Sequence, residues 1–230
     1  MQPERRVFAD ADTLVAALAD ALCVEAESAI AARGVFHLVL AGGSTPRALY
    51  RALADRNAGD ARWQVWYGDE RCLPAGHPER NSVMSEAAWL EASRIPPENR
   101  RPIPAELGAV EAAACYAGWL KDVADFDVVL LGMGEDGHTA SIFPGHDGGD
   151  APDSPDVLAV FDAPKPPPER VSLSATRLSR SRCVWFVVTG TGKREALLRW
   201  KSGEMLPVSA VRGKLDTVAW LDAAAWSAEE

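Results

Sequence analysis

The densest group of reactive side chains lies in Gly132-Met-Gly-Glu-Asp-Gly-His-Thr-Ala-Ser-Ile-Phe-Pro144, directly after an apolar run. Asp136 and His138 stand two residues apart in it. A histidine with a carboxylate nearby can take a proton from water, because its unperturbed pKa is close to neutrality. Gly132, Gly134 and Gly137 also satisfy G-x-G-x-x-G, the dinucleotide fingerprint. That fingerprint needs a long helix whose first turn faces a pyrophosphate. Pro144-Gly145 ends any helix within about two turns, and Glu135 and Asp136 would set carboxylates against a dianion. The segment therefore reads as a general base, not a nucleotide site. His37 sits inside an apolar run and reads as a core residue; His77 and His146 fall in polar loops. A zinc site from His77, His138 and His146 finds no support in any H-x-H, H-x-x-x-H or Cys-His spacing.

Three other places could hold or polarise an anion. In Ala41-Gly-Gly-Ser-Thr-Pro46, Gly42 and Gly43 let a ligand approach the backbone. Ser44 and Thr45 add hydroxyl donors at a helix start, where free N–H groups accumulate. The same residues also suit an ordinary tight turn with a cap. In Trp66-Tyr-Gly-Asp-Glu-Arg-Cys72, Asp69 or Glu70 could orient or exchange a proton, and Arg71 could meet an oxyanion or a phosphate. The alternative is a solvated loop with a local Glu–Arg pair. Cys72 has no histidine at a diagnostic spacing and reads as inert. Arg170 opens a strand, and Lys193 follows a glycine turn at a helix start. With residues 42–45 they suggest a phosphate pocket in an otherwise acidic chain.

The elements that must position these residues alternate. Apolar runs at 35–41, 63–67, 126–132 and 183–189 read as strands covered on both faces, with weaker candidates at 157–161, 170–174 and 217–221. Helices are expected over 12–33, 45–54, 82–91, 106–123 and 191–200. The alternation predicts an α/β class: a Rossmann-like, mainly parallel sheet with helices on both faces, its ligands at the carboxyl ends of the strands. The Pro-rich stretch 94–104 and the Gly/Pro/Asp-rich stretch 145–168 read as ordered surface loops or a site rim. At 230 residues, residues 1–230 are expected to form one domain.

With 33 acidic against 24 basic residues the net charge is −9. That argues against nucleic acid or an anionic membrane as the main partner. The amino-terminal segment lacks the apolar run of a signal peptide, and no run is long enough to span a membrane. The four scattered cysteines read as reduced thiols. A cytoplasmic location is the expectation.

The blocks Ala-Gly-Gly-Ser-Thr-Pro, Gly-Asp-Glu-Arg-Cys-Leu-Pro with His-Pro-Glu-Arg-Asn-Ser, and Gly-Met-Gly-Glu-Asp-Gly-His-Thr-Ala-Ser, in that order, resemble the 6-phosphogluconolactonase family. The likeness runs from about residue 7 to about residue 221. It implies a Rossmann-like fold, hydrolysis of a phosphorylated sugar lactone in the oxidative pentose phosphate pathway, and no metal or cofactor. It also implies His138 as base, Arg71 and Asp69 near the lactone, and Ser44, Arg170 and Lys193 near the phosphate. The related glucosamine-6-phosphate isomerase/deaminase group shares the Asp-Gly-His block but follows it with a segment containing a glutamate. Here Thr139-Ala-Ser-Ile-Phe-Pro144 has no acid, and Arg71 stands where a tyrosine usually follows the Asp-Glu pair. A sugar-phosphate-binding regulator without catalysis and a nucleotide-dependent dehydrogenase are the other readings weighed.

Overall fold

The computed structural model describes residues 2–226; Met1 of the amino-terminal segment and residues 227–230 of the expected domain lie outside them. The chain runs β1 (Glu4–Phe8), α1 (Ala11–Arg33), β2 (Phe36–Leu40), α2 (Ser44–Asp55), β3 (Trp63–Tyr67), β4 (Asp69–Arg71), α3 (Asn81–Ala88) and α4 (Ala109–Trp119). It continues with β5 (Phe126–Leu131), β6 (Val157–Val160), β7 (Arg170–Leu173), α5 (Ala175–Ser179), β8 (Ser181–Val188), α6 (Arg194–Lys201) and β9 (Asp216–Asp222).

Local chemistry explains the boundaries. Asp10 and Thr13 cap α1 reciprocally, and Gly34 closes it in the left-handed conformation at φ 79°. The helix expected over 106–123 contracts to Ala109–Trp119, because Gly108 at φ 84° breaks the chain before it. The one expected over 82–91 stops at Ala88 and resumes as a 3₁₀ turn over Leu90–Ala92.

The main sheet is wholly parallel, in the order β1-β9-β8-β5-β2-β3. All six residues of β5 are buried, so both faces of its centre are covered. α1 packs on β1, β2, β5 and β9 and on α2. Trp200 of α6 meets Phe186 edge-on, and Tyr116 of α4 meets Trp66. Two expectations change here. The runs at 157–161 and 170–174 do not join the main sheet: β6 and β7 pair antiparallel with each other, and β7 with β4, as a separate three-stranded sheet. The amino-terminal strand β1 carries no apolar signature, since Glu4-Arg-Arg at a sheet edge can stay in water; pairing with β9 makes it a strand.

Strand order reverses between β2 and β5. From β2 the chain steps outward to β3, then crosses back to β5 and on to β8 and β9. A crevice opens at such a switch point, outside the carboxyl ends of the strands.

Candidate active site

A cavity of about 410 Å³ occupies that crevice. Gly42, Gly43, Asp69, Arg71, Asn81, His138, Phe143, Lys165, Arg170 and Lys193 face it.

The segment after β5 is folded around His138. Gly134 N–H donates to the His138 carbonyl at 2.7 Å, and Thr139 Oγ1 donates to the Gly132 carbonyl at 2.8 Å. Asp136 Oδ1 accepts from the His138 backbone N–H at 3.1 Å and meets ring Nδ1 at 2.5 Å. Partial burial alone would raise the Asp136 carboxyl, but these bonds from His138 outweigh it and hold it below its ordinary value. With Nδ1 occupied, Nε2 is the nitrogen left for proton exchange. No helix follows the glycines, which removes the context a dinucleotide needs. Gly134 instead makes room for the pair: a Cβ there would stand 2.0 Å from His138 Nδ1 and 2.5 Å from Asp136 Oδ1.

β3 leads through Gly68 into β4, and the three ionisable residues take separate tasks. Asp69 is buried at the cavity wall, its Oδ2 accepting from Ser141 Oγ at 2.6 Å and its Oδ1 from Asn81 Nδ2 at 3.1 Å. Glu70 is fully buried and faces away from the chemistry. The Arg80 side chain offers α3 no cap, so Glu70 accepts from the first N–H groups, Asn81 at 2.7 Å and Ser82 at 2.8 Å, and from Ser82 Oγ. Arg71 donates from Nη1 to the Glu79 carbonyl, while its buried Nε has no partner.

After β2, Tyr50 Oη bonds both the N–H and the carbonyl of Ala41, pinning the strand end to α2. Gly42 is needed for Asn81, whose Oδ1 would lie 2.0 Å from a Cβ there. Ser44 lines a neighbouring cleft with Arg47 and Arg71 instead of the cavity. Thr45 shares a 2.7 Å hydrogen bond with Thr189 just past β8 and so ties the start of α2 to that strand end.

The opposite wall is cationic. Arg170 and Lys193 face the cavity as expected, and Lys165 joins them from the 145–168 stretch. Burial lowers the pKa of Arg170, and it does the same for Lys193, where the charge of Lys165 adds to the effect. Four cationic side chains (Arg71, Lys165, Arg170, Lys193) thus face one carboxylate, Asp69. Asn81, Ser141 and Lys165 were not singled out from the sequence, although the first two lie inside the quoted blocks. The remaining histidines lie apart from the cavity lining: His37 accepts from Trp66 Nε1 at 3.1 Å, and His77 accepts from the Glu79 N–H. Burial pushes the Cys72 thiol up to about 11, which suits an inert cysteine.

These features define a Rossmann-like α/β protein with a histidine–carboxylate pair and an anion-attracting cavity at its switch point. The chain belongs to the glucosamine-6-phosphate isomerase/6-phosphogluconolactonase family, whose model matches residues 9–220. It is 37% identical to a 6-phosphogluconolactonase of Streptomyces coelicolor, over 98% of this chain and 94% of that protein. It is 36% identical to one from Mycobacterium leprae, over 96% of each. Among solved structures it resembles a 6-phosphogluconolactonase from Thermotoga maritima, with a TM-score of 0.89 and 26% identity, covering 96% of this chain and 100% of that one.

Proposed function

We propose that this chain hydrolyses 6-phospho-D-glucono-1,5-lactone to 6-phosphogluconate, a step of the oxidative pentose phosphate pathway. The observation that carries the reading is the His138–Asp136 pair at 2.5 Å, set in a cavity with four cations. Asp136 accepts from Nδ1–H and fixes the ring, and Nε2 draws a proton from water. The water oxygen attacks the C1 carbonyl. Arg71 or loop N–H groups meet the resulting oxyanion. As the bond between C1 and the ring oxygen breaks, His138 returns its proton to that oxygen. Asp69, clamped by Asn81 and Ser141 at the cavity wall, is the acceptor this reading assigns to a sugar hydroxyl. The phosphoryl group takes the cationic wall. Lactones are activated esters, so the reading calls for no cofactor or metal.

The isomerase/deaminase reading is disfavoured by the residues after His138: Ser141 occupies that stretch, and its hydroxyl serves Asp69. A regulator without catalysis would have no use for a built histidine–carboxylate pair. We read residues 1–230 as one domain, since the cavity draws its walls from both sheets. Among the described residues no helix is long and apolar enough to cross a membrane; a cytoplasmic enzyme with no nucleic-acid partner fits the charge of −9.

The test is opening of freshly generated lactone, coupled to a downstream dehydrogenase, with the spontaneous rate subtracted. Acceleration that survives EDTA is expected. Ammonia release from glucosamine 6-phosphate at a comparable rate would overturn the reading.

A further inference from the structure

The three cations of the phosphate wall are not equivalent, a point that rests on the lactonase reading. Arg170 is 6% exposed, and its guanidinium is engaged through Nη2 and Nε. Nη2 donates to the Lys165 carbonyl at 2.9 Å and the Pro166 carbonyl at 3.5 Å, and Nε to the Pro167 carbonyl at 3.2 Å. Its Cζ lies 5.7 Å from the centre of the Phe143 ring. All of these acceptors belong to the loop joining β6 to β7, whose base is closed by Ala163 N–H donating to the Pro168 carbonyl at 3.0 Å. Phe143, Val160 and Ala163, with Leu158, form a small apolar cluster separate from the main core. The Phe143 ring also lies 4.9 Å from that of His138. One aromatic side chain thus supports the base on one side and the arginine on the other.

Lys165 is the opposite case. It is exposed, faces the cavity, and its ammonium makes no hydrogen bond or ion pair among the described residues. Burial is the main cause of the lowered pKa of Lys193, and the charge of Lys165 adds to it against the opposing pull of Glu135. Two ammonium groups repelling each other across a cavity are costly unless an anion comes between them. A planar guanidinium spread over three carbonyls, by contrast, is well used as a brace.

We propose that Arg170 is a positioning residue and not a phosphate ligand, and that the cation it delivers to the phosphoryl group is Lys165, acting with Lys193. Arg170 fixes the loop, and the loop presents Lys165.

The experiment measures kcat/KM for 6-phosphogluconolactone and for unphosphorylated D-glucono-1,5-lactone. The proteins are wild type, Lys165→Ala, Arg170→Ala, Arg170→Lys and the Lys165→Ala/Arg170→Ala double variant. A wild type that opens neither lactone would sink the lactonase reading itself; the remaining arms judge the inference. Lys165→Ala should lose about ten- to a hundredfold on the phosphorylated substrate, the worth of one charge-assisted contact, and little on the other. The double variant should discriminate between the lactones no worse than Lys165→Ala alone, since Arg170 acts through that lysine. Arg170→Lys, which keeps charge but loses the fork, should behave like Arg170→Ala. It also serves if the alanine variant does not fold. Losses that multiply in the double variant, full activity in Arg170→Lys, or unchanged discrimination in Lys165→Ala would each overturn the proposal.

Discussion

At the scale of single residues, the proposed chemistry turns on one carboxylate–imidazole contact, Asp136 with His138. His138→Asn keeps a polar side chain of similar reach but cannot exchange a proton near neutral pH. A lost general base costs about a hundredfold or more in turnover. The kcat of that variant should fall by at least this much while KM changes little, as steady-state kinetics on the phosphorylated lactone will show. Asp136 adds a pH signature. His138 holds its folded-state pKa below the ordinary 3.8, so the stabilisation is fully present above that value. It is lost as pH falls through the depressed folded value. The melting temperature of Asp136→Asn should therefore lie below wild type near neutrality, with the gap closing as the solution is acidified below about 3.8. A gap independent of pH would mean that the carboxylate charge contributes nothing there.

At the scale of elements, glycines and a buried acid set the site's geometry from outside it. Gly134→Ala would drive a methyl group into the His138–Asp136 contact. That variant should stay folded by circular dichroism yet approach the turnover of His138→Asn. Retention of wild-type kcat would show that the pair tolerates displacement. Glu70 works further back. It caps α3 and lies 3.6 Å from Arg80, with both side chains almost wholly buried. Arg80 keeps Glu106 at 2.7 Å, so the cost of losing Glu70 falls on the N–H groups of Asn81 and Ser82 left without an acceptor, about 1–3 kcal/mol. Glu70→Ala should lose stability on that order in urea denaturation, and Asn81 and Asp69 should drift with the helix start. A loss under about 1 kcal/mol would mean that water replaces the cap.

At the scale of the whole molecule, an acidic protein concentrates cations at one crevice. The chain carries −9 overall, yet its cavity sets four cations against one carboxylate. Attraction of a phosphorylated substrate should therefore be local and partly screened, with a Debye length of about 10 Å at 0.1 M salt. KM for 6-phosphogluconolactone should rise as salt increases from low to moderate concentration, while that for D-glucono-1,5-lactone stays flat. Parallel behaviour of the two substrates would place the phosphate outside this wall.

What the sequence determined by itself is what local pattern encodes. The four apolar runs became β2, β3, β5 and β8 within a residue or two, because a strand buried on both faces must be apolar throughout. Asp136 and His138 were legible as neighbours in one glycine turn, and the fold shows that the Asp136 carboxylate is what the ring meets. Tertiary structure decided whatever depends on distant partners. Glu70 and Asp69 are neighbours in sequence, and only the fold assigns one to α3 and the other to the cavity. Gly42 reads as room for an anion until Asn81 is found filling that space. Lys165 lies in a proline-rich stretch without periodicity, and only the fold shows that Arg170 bonds this stretch and that Lys165 lines the cavity. Side-chain roles of this kind depend on which backbone groups need a partner, and that is known only once the strands have taken their order.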